Sequence, residues 1–354
     1  MKVLIIAGGT GGHVFPALSI AKKFSNHGHE ISWIGKKNSL EEKIASREGF
    51  GFSPINGRGF LGKNFLGKIA SIFLFGISLI RSFFLIIKMK PDIAISTGGY
   101  LSLAPSLSAF LYCPLFIHEQ NSIPGLTNKI LHRFSSRTFE AFPATFKNNI
   151  EKILIVGNPV REEISSLSPC DDNSNTSFRI LIIGGSQGSQ QINDIMIQAL
   201  KSKSVKSNWF FTHQVGKLKS EALQKAYEVA SANFIIRGFI ENMAEAYKES
   251  DIIISRSGAM SVSEICAAQK PSILLPLPWS ANNHQLSNAR FLLQKGAAEV
   301  ITSDLSNAET LFQLLIDLEK DHNRREAMVI ASGKVFPKST SDKIYNEIDA
   351  FLKL

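Results

Sequence analysis

Cysteine is scarce. Cys113, Cys170 and Cys266 are the only three in 354 residues, with no C-x-x-C spacing and no histidine cluster at ligand spacing. That argues against a disulfide scaffold and a zinc site, and for a reducing compartment. No D-x-D sequence occurs, so nothing points to a divalent metal held by carboxylates on a diphosphate. The P-loop pattern G-x-x-x-x-G-K-[ST] is missing too, which argues against P-loop phosphotransfer. The dinucleotide fingerprint G-x-G-x-x-G fails, because counting from Gly9 its third glycine position is Val14. Val3 to Ala7 is too short an apolar run for a secretory signal, and glycines interrupt it at once. Charged residues are 19% and apolar residues 44%, which describes neither a disordered tract nor a coiled coil.

What is present is a length suited to two or three domains and an uneven charge. Net charge is +9, yet residues 1–160 hold 18 Lys and Arg against 8 Asp and Glu, whereas residues 161–354 hold 21 against 22. One half is thus suited to an anionic surface and the other is not. The basic half lacks an RNP-like aromatic motif or a dense arginine stripe, so nucleic acid is not expected.

The N-terminus reads as a buried strand, Lys2 to Ala7, a glycine turn, Gly8-Gly-Thr-Gly-Gly12, and a helix from about His13 to Asn26. Arg179-Ile-Leu-Ile-Ile183 followed by Gly184-Gly-Ser-Gln-Gly188 repeats this grammar. Further strands are expected at 30–34, 92–96, 115–118 and 153–156, then at 208–212, 233–236, 251–255 and 271–275. Strands alternating with helices predict an α/β protein of two doubly wound, Rossmann-like domains with ligands at the C-terminal strand ends, in a cleft that the domains face. The expected domains are 1–160 and 161–341, with a C-terminal helix over 342–354 crossing back to the first.

Between Ile69 and Ile87, 13 of 19 residues are Ile, Leu or Phe, and Arg81 is the only charge. A membrane crossing would separate the flanking strands of one sheet. Asn64, Lys68, Ser71, Ser78 and Ser82 fall on one polar arc of a helical wheel, and the rest of the circumference is apolar. Two readings fit: a helix in the membrane interface, touching lipid through Ile69, Phe73, Ile80 and Phe84, or an ordinary buried helix with charged ends.

The chemistry-bearing motifs lie at expected strand ends. A glycine turn before a helix presents backbone N–H groups to an anion. His13 follows such a turn, placed either as a general base toward a hydroxyl or as a capping or core histidine. His118-Glu-Gln-Asn121 puts four polar side chains at the end of an apolar strand. After the strand at 251–255 come Gly258, a helix from about Ala259 suited to a diphosphate, and Glu264, placed for a ribose diol or as a solvated carboxylate. The loop from Pro276 to Gln285 is rich in amide and hydroxyl groups, suited to sugar hydroxyls.

These motifs together resemble the MurG family, the GT-B glycosyltransferases that add N-acetylglucosamine to lipid I, undecaprenyl-pyrophosphoryl-N-acetylmuramoyl pentapeptide, to make lipid II. The resemblance runs almost end to end: Gly8 to Ala17, Thr97-Gly-Gly-Tyr100, His118 to Asn121, Pro124 to Asn128, Val156 to Arg161, Gly184 to Gly188, Gly238-Phe-Ile240 with Met243, Ser257 to Glu264, and His284-Gln285. It implies inversion at the anomeric carbon and no cofactor or catalytic metal, UDP-N-acetylglucosamine being a substrate. It places the donor mainly on the second domain, with Ile240 reading uracil and Glu264 the ribose. Ser186, Arg161 and the turn through Ala259, Met260 and Ser261 would bind the diphosphate, with Val262 and Ser263 continuing that motif to Glu264. Gln285 and Asn121 would hold sugar hydroxyls, and Thr10, Gly11 and Gly12 would face donor and acceptor. His13 would be the base, with Glu119 the second candidate. The basic, apolar surface of the first domain would sit peripherally on the anionic cytoplasmic face of the bacterial inner membrane. Asn283 stands where the family usually has an acid, and Gln269 where glycine is common. A transferase acting on another lipid, such as diacylglycerol, and a non-catalytic UDP-sugar sensor are the competing readings.

Overall fold

The computed structural model describes all residues except 56–64, 168–176, 186, 203–204, 218–219, 279, 281–282, 303–307, 338 and 354, and gives backbone alone for 65–73 and 202. The chain divides into two compact units, Met1–Val160 with Ser339–Leu354, and Arg161–Lys338.

The first unit runs β1 (Lys2–Ala7), α1 (Gly11–Asn26), β2 (Glu30–Lys36), α2 (Leu40–Arg47), β3 (Gly51–Ile55), α3 (Phe65–Met89), β4 (Ile93–Gly98), α4 (Leu103–Phe110), β5 (Leu115–Glu119), α5 (Leu126–Leu131), β6 (Arg137–Glu140) and β7 (Ile153–Ile155). The second runs α6 (Glu162–Ser165), β8 (Phe178–Ile183), α7 (Gln190–Ser202), β9 (Trp209–Gln214), α8 (Glu221–Val229), β10 (Asn233–Arg237), α9 (Met243–Glu249), β11 (Ile252–Ser255), α10 (Ala259–Ala267), β12 (Ser272–Leu274), α11 (His284–Gln294), β13 (Glu299–Val300), α12 (Ala308–Lys320) and α13 (His322–Val335). Helix α14 (Thr340–Leu352) returns the chain to the first unit.

Both sheets are parallel, in the orders β3-β2-β1-β4-β5-β6-β7 and β10-β9-β8-β11-β12-β13. Each therefore reverses direction beside its first strand, at β1/β4 and β8/β11, where doubly wound sheets open a ligand crevice. Strand β1 shows why its sequence is unbroken Val, Leu and Ile. Val3, Ile5 and Ala7 join the core under α1, α2 and α14, while Leu4 and Ile6 join the core on the opposite face with Ile86 and Ala109. In the second unit Trp209, Phe211, Tyr227 and Phe312 form an aromatic centre between sheet and helices.

Helix α14 is held by fully buried Ile344 and Ile348 and by the Thr340 hydroxyl, which donates to the Val156 carbonyl at 2.7 Å. Tyr345 stacks on His27, and Lys23 pairs with Asp342.

Two glycines fix loops at the strand ends, Gly99 at the β1/β4 switch point and Gly188 between the ends of β8 and β9. A methyl group on Gly99, whose φ is +96°, would lie 2.3 Å from the Gly8 carbonyl oxygen. One on Gly188, at φ +79°, would lie 1.9 Å from that of Val215. No side chain fits either close approach. Gln269, at φ +52°, holds the left-handed position after α10, a conformation that glycine adopts most readily.

Several expected boundaries shift. Helix α1 begins at Gly11, so Gly11, Gly12 and His13 form its first turn and Thr10, extended at φ −106° and ψ 160°, is its cap. The described part of the polar arc on α3 faces inward: Ser82 is fully buried and Ser78 half-buried. Small hydroxyl side chains let α4 approach closely, and the Ser108 hydroxyl donates to the Leu79 carbonyl at 2.9 Å. Part of the apolar surface points outward, with Ile80 57% and Phe84 67% exposed, beside exposed Leu74 and Ile87 and the charges Arg81 and Lys88, while Ile86 is buried in the core. Asn64 lies outside the described residues, and the side chains of Lys68, Ile69, Ser71 and Phe73 outside the described side chains. Among the described residues, no helix is long and apolar enough to cross a membrane.

Candidate active site

In the first unit the glycine turn of β1 and the end of β5 come together on His13. Its Nδ1–H donates to the Thr97 carbonyl at 2.9 Å and to Gln120 Oε1 at 3.0 Å. Gln120 in turn donates through Nε2 to His118 Nδ1 at 3.0 Å, and His118 Nε2–H donates to the Gly157 carbonyl at 2.9 Å. One assignment of protons satisfies every link, with His118 neutral. Burial holds its pKa down to about 4, against the pull of the Gly157 hydrogen bond. At the end of the chain the proton of His13 is fixed on Nδ1, so in the neutral ring the lone pair is the one on Nε2. The Thr97 hydroxyl donates to the His13 carbonyl at 2.9 Å and fixes the same turn from the other side.

Glu119 is differently placed. It is 1% exposed. Oε1 accepts from the Asn121 N–H at 3.0 Å and its Nδ2 at 3.3 Å, and Oε2 from the Gly125 N–H at 3.1 Å and Asn128 Nδ2 at 2.9 Å. Four donors on one carboxylate make a loop clamp, which also orients Asn121.

The second unit gathers the other residues at the ends of β9 and β11. Helix α10 starts at Ala259 behind Gly258, with no side-chain cap and no acid in its first turn, so no side chain of the cap position takes up its first N–H groups. One turn on, Glu264 Oε1 accepts from Arg161 Nε at 3.2 Å and Nη2 at 3.0 Å, and Tyr247 donates to Oε2 at 3.3 Å. Burial raises the Glu264 pKa, and Arg161 and the hydrogen bonds pull it back. The Ile240 N–H donates to Gln214 Oε1 at 2.9 Å, and Gln214 Nε2 donates to the Gly185 carbonyl at 3.1 Å. The Ile240 N–H is therefore already engaged within the protein. Gln285 is tied to its loop: its Oε1 accepts from the Leu277 N–H at 2.9 Å and its carbonyl from the Ser257 hydroxyl at 2.8 Å. Ser186 lies outside the described residues. Among the described residues, no group of three or more His, Cys, Asp and Glu side chains is arranged to hold a metal.

Sequence reasoning missed the roles of Thr97, Gln120, Gln214 and Tyr247. Thr97 and Gln120 stood inside motifs whose chemistry seemed to belong to their neighbours. Gln214 and Tyr247 carried no local signal, since each acts through a residue 17 or more positions away.

Comparison with known proteins fits this architecture. Residues 3–140 match the glycosyltransferase family 28 N-terminal domain, and residues 179–344 its C-terminal domain. The chain therefore belongs to glycosyltransferase family 28, built on two Rossmann-like domains in the GT-B manner. Within it the chain falls in the MurG family. It is 39% identical over 326 residues, 90% of either chain, to the UDP-N-acetylglucosamine–N-acetylmuramyl-(pentapeptide) pyrophosphoryl-undecaprenol N-acetylglucosamine transferase of Nitrosospira multiformis. The Coxiella burnetii (strain Dugway) protein of that name is 37% identical over 360 residues, 99% of this chain and 98% of its own. The crystal structure of Acinetobacter baumannii MurG superposes with a TM-score of 0.82 at 31% identity, covering 99% of both chains.

Proposed function

We propose that the chain transfers N-acetylglucosamine from UDP-N-acetylglucosamine to the C4 hydroxyl of the muramoyl sugar of lipid I, with inversion, giving lipid II and UDP. The observation that supports this best is the proton-ordered chain from Gly157 to His13, which leaves an imidazole lone pair on Nε2. In the proposed step the C4 oxygen attacks the anomeric carbon of the donor and passes its proton to that nitrogen. The bond from the anomeric carbon to the β-phosphate oxygen breaks, and its electron pair leaves with UDP. Nδ1–H stays on the Thr97 and Gln120 oxygens throughout, so both stabilise the imidazolium as it forms.

In the second unit, Glu264 takes the ribose hydroxyls. Oε2 has a second acceptor site beyond its bond to Tyr247, and Oε1, which accepts twice from Arg161, gains one as that guanidinium turns to the diphosphate. Arg161 and the α10 N-terminus meet the charge growing on UDP, with Ser186 a further diphosphate ligand. The Ile240 carbonyl reads the uracil N3–H, and the Gln285 amide N–H and Asn121 reach sugar hydroxyls. The reading is tested by following UDP release from UDP-N-acetylglucosamine in EDTA. Release that depends on a lipid I analogue is expected. Release with diacylglycerol instead, or UDP binding without turnover, would overturn it.

The lipid acceptor calls for a peripheral seat on the cytoplasmic face of the inner membrane. The outward stripe of α3, with Phe110 and Leu111 exposed at the end of α4 and Arg81 and Lys88 alongside, supplies apolar contact and positive charge for anionic lipid. Ile80→Glu with Phe84→Glu is expected to weaken sedimentation with phosphatidylglycerol vesicles by about 10²-fold. Turnover of a short-chain, water-soluble acceptor should be unaltered. Equal sedimentation of both proteins would remove this face as the membrane contact.

A further inference from the structure

Arg256 is the one charged residue at the end of β11, and the proposed mechanism does not use it. Its side chain turns inward and is 7% exposed. Nη1 donates to the Leu275 carbonyl at 2.9 Å, and among the described residues no carboxylate pairs with it. Burial depresses its pKa to about 10, still far above neutrality, so the charge persists. Burying an uncompensated guanidinium is costly, and one backbone carbonyl would be served equally well by a neutral amide. The charge itself is what the fold retains.

Its place in the second unit indicates what the charge is for. Arg256 sits between two stitched loops: Ser257 and Gly258 lead into α10 on one side, and Leu275 leads into the 276–285 loop on the other. The Ser257 hydroxyl ties these loops at the Gln285 carbonyl, and Asn288 Nδ2 donates to the Ser257 carbonyl at 3.1 Å. The uncapped N-terminus of α10 opens immediately beyond.

We propose that Arg256 is a buried counter-charge for the nucleoside diphosphate, acting through the low-dielectric interior behind the α10 turn without touching the ligand. This rests on the donor site assigned above. A charge fixed beneath the turn adds to the helix N-terminus and strengthens as phosphate charge accumulates, so it favours departing UDP over intact donor. It is a positioning residue by electrostatics, separate from the direct contact assigned to Arg161.

The test compares affinities of UDP and uridine for the full chain and for Arg256→Gln, Arg256→Met and Arg256→Lys. Uridine shares the base and ribose contacts but carries no phosphate, so its binding reports whether the site is folded. The neutral variants are expected to weaken UDP by about tenfold or more while uridine changes less than twofold. Arg256→Lys should recover most of the loss, and the salt dependence of UDP binding should be shallower in the neutral variants. Equal weakening of UDP and uridine would make Arg256 a structural anchor only, and an unchanged UDP affinity would remove it from the site. Absence of UDP binding in the unsubstituted chain would overturn the donor-site reading itself, and the inference with it.

Discussion

Replacing His13 with alanine is expected to lower kcat by ~10²–10⁴ while leaving KM for UDP-N-acetylglucosamine within about threefold. The donor contacts proposed above lie in the second unit, apart from Asn121 and the Thr10 to Gly12 turn, whereas His13 handles the acceptor proton. Loss of the imidazole removes a transition-state interaction and spares ground-state donor binding. Glu119 sharpens the contrast. Its carboxylate accepts four N–H bonds, and Glu119→Gln would turn an NH₂ group toward two of those donors. That variant should lower the melting temperature together with activity, because a buried donor is left facing a donor. His13→Ala should melt close to the unsubstituted protein. Wild-type turnover in His13→Ala, measured by UDP release, would end its role as base. A stable, inactive Glu119→Gln with an active His13→Ala would transfer that role to Glu119.

Glu264→Ala should have the second-largest effect. Two charge-assisted hydrogen bonds to a ribose diol at about 1.5–3 kcal/mol each, partly offset by solvation, place the loss in kcat/KM for the donor at ~10²–10³. Removal also leaves the Arg161 guanidinium without its carboxylate, so the diphosphate contact is loosened in the same variant. The effect should fall mainly on donor KM. Burial raises the Glu264 pKa, so on acidification it takes up a proton earlier than an ordinary carboxylate would. Donor KM is therefore expected to rise as pH falls through the acid range in the unsubstituted protein, and to lose that rise in Glu264→Ala. Steady-state kinetics across that range, with the donor varied at saturating acceptor, checks both.

The parts of the fold legible in sequence were those whose physics is local. Strands β1 and β8 are buried on both faces and read as uninterrupted aliphatic runs; α10 begins at Ala259, where Gly258 had marked a turn. Strand β3 was invisible because it is an edge, where Gly51 and Pro54 are tolerated and only one side needs a partner. Strand β6, Arg-Thr-Phe-Glu, takes its burial from neighbours on both sides and not from its own composition. The same division holds at the site. His13 and Glu264 announced themselves by residue type beside a glycine turn or strand end, whereas Arg161 was named only through the family resemblance. Which nitrogen of His13 is free, and why Glu119 serves as a clamp, depended on partners from 2 to 107 positions away.

The most direct test of the central claim is the structure of the product formed from UDP-N-acetylglucosamine and a lipid I analogue, read by NMR at the new anomeric centre and across the new linkage. The expected product is a single β-linked N-acetylglucosamine on the muramoyl C4 oxygen, inverted from the α-linked donor. An α-linked sugar, attachment at another hydroxyl, or free N-acetylglucosamine with no product would contradict a direct displacement by a hydroxyl deprotonated at His13.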